Sequence, residues 1–225
     1  MAEAMIAGFP ASVSRIPTGS GGGPQKGSSM ILSNGEYDVP AGRIAAIVTS
    51  LELTVPPPRR PDPPDPGSRL VAERPEAAAY RALFRRVGAP WLWSARLKLT
   101  DAALQAIIGD ARVEIYRLIA DDEDGGLLEL DFRDGESCEI AYFGVVPALA
   151  GSGAGRWLMN HALAIAWSRP ITRLWVHTCT LDHPAALGFY IRSGFRPFRR
   201  QVEIADDPRL MGFLPTDAAP LVPVL

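Results

Sequence analysis

The sequence predicts an α/β (α+β) domain organised around one mixed β-sheet. Three observations carry this expectation. Strand-like and amphipathic helical runs follow one another in the order β, α, α, β, β, β, α, β, α, β. The three consecutive strands, VEIYRLIA, GLLELDF and CEIAYFGVV, are separated only by the turn signals DDEDGG and RDGES, which makes them an antiparallel meander. The third of them and the later run RLWVHTCT flank one helix, the pattern of a right-handed parallel crossover.

Each element has a local reason. Residues 1–29 are rich in Gly, Ser and Pro (TGSGGGPQKGSS) and too poor in bulky apolar groups to offset the entropy of ordering. A flexible segment is expected there, with a single domain over 30–225. RIAAIVTSLELTV, Arg43 to Val55, reads as the first strand. Residues 56–68 (PPPRRPDPPDPGS) read as a stiff, extended connector, because proline can neither continue a helix nor donate within a central strand. A helix opens on Pro75 and Glu76 and stops at Gly88; a second has Thr100 as N-cap and stops at Gly109; WLWSARL lies between them. After the meander, a helix from about Arg156 to Trp167 places Leu158, Ala162 and Ile165 on one face. RLWVHTCT is the next strand, HPAALGFYIRSG a short helix ending at Gly194, and FRPFRRQVEI the last strand. The apolar tail, 208–225, could pack on its own core or on a second copy of the chain, and a homodimer is carried as an expectation.

With 47% hydrophobic and 21% charged residues, the chain can bury a core. A net charge of −2 offers no general attraction to nucleic acid or to an anionic membrane, and neither is expected as a partner. The two cysteines, Cys138 and Cys179, sit in apolar strand-like runs, and the N-terminus lacks a basic segment followed by an apolar run. A reducing cytoplasm is therefore the expected location. The long apolar runs are cut by Gly, Pro or charge before the ~18 residues that a bilayer crossing requires.

The stretch VVPALAGSGAGR, Val145 to Arg156, lies between a strand and a helix and sets glycine at 151, 153 and 155. Stripping side chains from alternate positions lets backbone N–H groups converge on an anion at the start of the helix, and a pyrophosphate fits that description. A tight turn without a ligand is the alternative. Three familiar motifs fail here. Walker A needs Lys-Ser/Thr after its last glycine, where Arg156-Trp157 stands; the dinucleotide fingerprint needs glycine at Arg156; a nucleophile elbow on Ser152 needs glycine at Ala150 and Ala154.

These residues carry a resemblance. AlaLeuAlaGlySerGly, Ala148 to Gly153, resembles the Q/R-x-x-G-x-G/A loop of the GNAT superfamily of N-acetyltransferases, with Ala148 at the Gln/Arg position. AlaLeuGlyPheTyrIleArgSerGlyPhe, Ala186 to Phe195, resembles that family's A-x-x-x-Y-x-x-x-G-F motif, with His183 where Asn often precedes it. GluIleAlaTyrPheGlyVal, Glu139 to Val145, resembles its base-bearing strand, and the three matches fall in order within residues 43–205. The resemblance implies a GNAT fold: a mixed central sheet of about six to seven strands flanked by about four helices, with acetyl-CoA (coenzyme A) bound where the fourth and fifth strands part. It implies a pyrophosphate cradle made by the backbone of Gly151, Ser152, Gly153, Ala154, Gly155 and Arg156. It runs the thioester and pantetheine arm along Phe143, Gly144, Val145 and Val146, and adds His183, Ala186, Phe189 and Tyr190 to the cofactor site.

The implied reaction is acetyl transfer, by direct attack, to a primary amine on a small molecule or a peptide. An amine of lysine type has a reference pKa near 10.4, so neutralising it at pH 7 costs ~4–5 kcal/mol, which a base must offset. Glu139 is the candidate base, because strand alternation sets it on one face with Ala141, Phe143 and Val145, apolar neighbours that would raise its pKa. Glu129 and Asp131 are rivals. Tyr190, protonated at pH 7, is the candidate acid for the departing thiolate. Trp91, Trp93 and Tyr142 either line the acceptor pocket or anchor the core. Cys138 and Cys179 read as packing residues, and no metal is expected, since His177, Cys179 and His183 offer only three zinc-type ligands. The run Phe195 to Arg200 binds acidic groups or solvates a strand. Two readings stand beside acetyl transfer: an enzyme of the same fold using another acyl-CoA, and a CoA-binding sensor or interaction module without turnover.

Overall fold

A computed structural model describes residues 6–7, 32–63 and 68–225. Its strands are β1 (Ile6–Ala7), β2 (Arg43–Leu53), β3 (Arg69–Glu73), β4 (Val113–Ala120), β5 (Glu123–Asp131), β6 (Ser137–Val145), β7 (Arg173–Cys179) and β8 (Arg196–Asp206). Its α-helices are α1 (Ala77–Gly88), α2 (Asp101–Ile108), α3 (Ala154–Trp167) and α4 (Ala186–Arg192). The sheet runs β3-β4-β5-β6-β7-β2-β8, with β1 paired to β6. Among the described residues β6 and β7 are the one parallel pair. The α/β class, the mixed sheet and the four helices agree with expectation. The segment expected to be flexible, 1–29, lies outside the described residues apart from Ile6 and Ala7, as do residues 64–67 of the connector.

Helix signals act where the sequence sets them. Thr100 Oγ1 accepts a hydrogen bond from the Ala103 N–H at 3.2 Å, satisfying one orphan donor of α2, and Gly109 caps the other end. In α1, Glu76 is the N-cap and Gly88 the last residue; a Cβ on Gly88 would run into the Trp93 ring. Apolar side chains then divide between the two faces of the sheet. Tyr80, Phe84, Trp93, Leu104 and Ile115 fill one core under α1 and α2. Leu128, Ile140, Phe143, Leu158, Val176 and Phe189 fill the other under α3 and α4.

Arg43–Leu53 lies between β7 and β8, antiparallel to both. The strand that leads into α1 is β3, five half-exposed residues directly after the connector. The connector therefore crosses the sheet, over five strand spacings of ~4.8 Å, or ~24 Å. A chain of about 15 residues can reach ~45 Å at ~3.1 Å per residue, which covers that distance. Asn160 on α3 fixes its path, its Nδ2 donating to the Arg60 carbonyl (3.0 Å) and to Asp62 Oδ1 (2.7 Å).

The tail finds its place on the chain's own core. Leu214 and Ala219 are buried with the α1–α2 cluster, against which Phe213, Ala218 and Val222 pack. Arg209, itself buried, holds the tail by donating from Nη1 to the carbonyls of Ala218 (3.1 Å) and Val222 (2.7 Å).

Candidate active site

The parallel pair is short. β6 and β7 are paired only from Ser137/Arg173 to Glu139/Trp175, although β6 continues to Val145 and β7 to Cys179. A bulge explains the parting. Glu129 pairs with Tyr142 but Leu130 pairs with Ile140, so Ala141 has no opposite residue and β6 bends there. The freed edge of β6 is taken by β1, with Ile6 opposite Gly144 and Ala7 opposite Phe143. The bulge also corrects the expected face of Glu139. One extra residue inverts the alternation, so Glu139 shares its face with Tyr142, while Phe143 and Val145 point into the α3–α4 core.

At the open end stands the glycine corner. Gly151 and Gly153 have φ of +81° and +96°, and Gly153 is the N-cap of α3. The Ser152 N–H bonds to the Leu149 carbonyl (3.3 Å), and Ser152 Oγ accepts from the Ala154 N–H (3.2 Å). The amides of Gly151, Gly153, Gly155 and Arg156 have no acceptor among the described residues. Among the described residues, nothing competes with an anion for four of the six expected cradle amides. Pro63 of the connector lies on this corner, 2.8 Å from where a Gly153 Cβ would stand, so glycine here also permits that approach.

On the α1–α2 face of the opening, Glu139 Oε1 lies 3.4 Å from His177 Nδ1. His177 on β7 is 1% exposed, and neither ring nitrogen has a hydrogen-bond partner of good geometry. Glu203 on β8 faces the same histidine; burial raises its pKa and His177 partly offsets this. The rival carboxylates are committed elsewhere. Glu129, fully buried, accepts from Tyr80 Oη and from Arg96 Nη2, and Asp131 is bound by Arg133.

Tyr190 lies on α4 beside Phe143, with ring centroids 6.3 Å apart. It is fully buried, its hydroxyl has no partner, and burial together with the Asp182 carboxylate raises its pKa well above the ordinary phenol value. Asp182 follows β7; its Oδ2 accepts from Thr178 Oγ1 (2.8 Å) and the Cys179 N–H (2.7 Å), and Oδ1 is unpartnered. Burial pushes its pKa to about 6 despite these bonds. A raised carboxyl pKa means that the folded state keeps the proton longer than the unfolded chain, so stability is full below pH ~4, falls until pH ~6 and is flat above. Two units correspond to ~3 kcal/mol. Asp182→Asn removes this dependence, so the stability difference between parent and variant should change by ~3 kcal/mol between pH 4 and 7 in urea titrations. A constant difference would contradict the assignment.

The remaining predicted residues separate into two groups. Trp93 and Tyr142 are core anchors, packed with Phe84 and Tyr80, so the pocket-lining role is corrected for these two. Trp91 is half-buried and packs edge-on against His183, which accepts the Ala185 N–H at Nδ1. Ala186 and Phe189 are buried beneath α4, against the side of β6 that carries Phe143 and Val145; Val146 closes the strand. Cys138 and Cys179 are buried free thiols whose pKa values burial drives far up, which leaves them unreactive. No cluster of metal-ligating side chains occurs among the described residues, and none of their helices is long and apolar enough to cross a membrane. Asp182 was not singled out in the sequence, and His177 was weighed there only as a zinc-type ligand; the signal for its place beside Glu139 was period-two spacing with Trp175 and Cys179 on the neighbouring strand.

The mixed sheet thus parts at its parallel pair, with four corner amides at the opening that have no acceptor among the described residues. The model of the acetyltransferase (GNAT) family matches residues 90–195, nearly half of the chain, and supports its membership of the GNAT superfamily. Among solved structures, the chain resembles a GCN5-related N-acetyltransferase from Sphaerobacter thermophilus at 17% identity and TM-score 0.51, over 75% of this chain and 53% of that one. It is also similar to a functionally unknown conserved protein from Staphylococcus epidermidis (13% identity, TM-score 0.47, 74% of this chain, 63% of that one). A GCN5-related N-acetyltransferase from Kribbella flavida gives 17% identity and TM-score 0.42, over 76% of this chain and 63% of that one. The chain thus spans less than two thirds of the length of each. No curated protein matches it.

Proposed function

We propose that the chain is an N-acetyltransferase that moves the acetyl group of acetyl-CoA to a primary amine. The observation that carries this reading is the set of four amides at the start of α3 that are unbonded among the described residues, beside a β6 edge that the bulge has freed from β7. Gly151, Gly153, Gly155 and Arg156 would hold the pyrophosphate by N–H donation, as helix N-termini hold phosphates generally. Phe143 to Val146 would hold the pantetheine arm through the strand edge. When bound, acetyl-CoA supplies a thioester carbonyl with a thiolate leaving group. Glu139 takes the proton of the attacking amine, with His177 behind it to spread the charge, and Tyr190 returns a proton to the departing sulfur. The acceptor enters from the α1–α2 face, where Trp91 is exposed enough to touch it.

Ile6 and Ala7 pair with the same edge that the arm would use, so carrier and β1 compete. Thermal-shift titrations of the full chain and of Ala7→Pro, which weakens the strand pairing, test both points. Coenzyme A at a hundredfold excess over Kd should stabilise by ~2.7 kcal/mol, a rise of roughly 5–11 °C in Tm, whereas ATP and NAD should leave Tm unchanged. Ala7→Pro should bind more tightly. Absence of a coenzyme A shift in both proteins would overturn the reading. In thiol-release assays with an amine library, Glu139→Gln should lose ~10²–10⁴-fold in turnover with carrier affinity kept; an undiminished rate would remove its role as base.

A further inference from the structure

β8 ends the sheet, and along its 11 residues no strand among the described residues pairs with its outer edge. Edge strands are commonly protected by proline, bulges and charge. In β8 the proline and the bulge lie only in the first half, with Pro197 followed by a register shift against Ser50 and Leu51 of β2, while charge runs through both halves. From Arg199 to Asp206 the ladder with β2 is regular. That regular half exposes apolar side chains: Val202 and Ile204 are 50% and 47% exposed, beside Ile47 of β2 at 40%. Arg196, Arg199 and Arg200 form no ion pair among the described residues, although twelve arginines elsewhere do.

We propose that two copies of the chain join edge to edge through β8, antiparallel about a two-fold axis at Gln201, forming a homodimer with one continuous sheet. The strand's own charge order selects this partner. Directly opposed residues in an antiparallel pair share a face, and Arg199 and Glu203 share one, opposite Ser50 and Ala46 of β2. An axis at Gln201 sets Arg199 against Glu203 of the partner subunit, twice by symmetry. It also lays the aliphatic stem of Arg200 over Val202 of the partner subunit. An axis at Arg200 or at Glu203 opposes like charges. An axis at Val202 opposes no charge to its counterpart. Backbone pairing supplies adhesion and the two ion pairs fix the register, as in strand addition generally. An acidic peptide or a nucleic acid on the three arginines would leave Glu203 facing the ligand with like charge.

The full chain should elute in size-exclusion chromatography with light scattering at twice its 24.3 kDa at tens of micromolar. Arg199→Glu should give monomer at that concentration, and Arg199→Glu with Glu203→Arg should restore the dimer. Because Glu203 also faces His177, a second measurement avoids it. Gln201→Cys should cross-link to a dimer under mild oxidant, since the two copies of residue 201 oppose one another. Ile204→Cys should not, because in this register the two copies lie ~20 Å apart along the strands, beyond disulfide reach. The buried Cys138 and Cys179 contribute no background. A monomer at all concentrations, a dimer indifferent to Arg199→Glu, or cross-linking at 204 rather than 201 would each overturn the proposal.

Discussion

Arg209→Ala is expected to remove about 3–5 kcal/mol of folding stability, the cost of breaking a buried ion pair from one side. Asp207 and Arg209 are 2% and 4% exposed. Nε of Arg209 donates to Asp207 Oδ1 at 3.0 Å and Nη2 to Oδ2 at 2.6 Å, while Nη1 serves carbonyls of the tail. Alanine would leave a carboxylate buried without a counter-charge and unbind the segment that carries Leu214 and Ala219 into the core. Domains of this size are stable by about 5–15 kcal/mol, so the loss is a large fraction of the total. The pH dependence distinguishes this cause from lost packing. Hydrogen bonds from Arg209 hold the Asp207 pKa below the ordinary carboxylate value, so the pair's contribution is full above pH ~4 and is lost as pH falls through the depressed pKa. The gap between parent and Arg209→Ala in urea titrations should therefore be widest near pH 7 and narrow toward pH 3. A gap of the same size at both would mean that packing, not charge, holds the tail.

Much of this architecture was legible because its signals are local. The Thr100 cap, the Gly88 and Gly109 stops, the meander with its two turns and the glycine corner each rest on residues within a few positions of one another. The location of Arg43–Leu53 was not legible. Its period-two pattern marks a strand but carries no information about which neighbours it takes, and an antiparallel strand fits either a sheet edge or the gap between β7 and β8. Arg69–Glu73 was hidden for a related reason: it is short and half-exposed, and follows a run of prolines that reads as connector to its end.

The candidate site divides along the same line. The corner amides depend on Gly151, Gly153 and Gly155 alone, and the sequence displays them. The surroundings of Glu139 depend on one bulge. A single unopposed residue, Ala141, turns the glutamate away from Phe143 and Val145 and toward His177, and the linear string of letters leaves that inversion unmarked. The same bulge frees the strand edge, so parting of the sheet and orientation of the carboxylate share one cause.

Tyr190→Phe should lower acetyl transfer by ~10²–10⁴-fold, the usual contribution of a positioned general acid, while leaving folding stability unchanged or raising it by ~1 kcal/mol. Ordinarily the loss of a buried hydroxyl is ambiguous, because it deletes a hydrogen bond as well as an acid. Here the hydroxyl has no hydrogen-bond partner, so phenylalanine removes an unpaired polar group and keeps the ring contacts with Phe143, Phe189 and Phe195. The nearby Asp182 carboxylate and the burial of the phenol both favour its protonated form, so Tyr190 retains its proton. A coenzyme A thiolate is a weaker base than the Tyr190 phenolate, so Tyr190 would act while the C–S bond breaks, sharing its proton with the sulfur as charge builds there. Coenzyme A binding should survive the substitution, since the cradle amides lie on α3 and not on α4. Rate loss should be smallest for thioesters whose thiol is most acidic, because such leaving groups need protonation least. Equal loss across a series of thioesters of graded leaving-group pKa, or no loss at all, would show that Tyr190 packs the helix and does no acid chemistry.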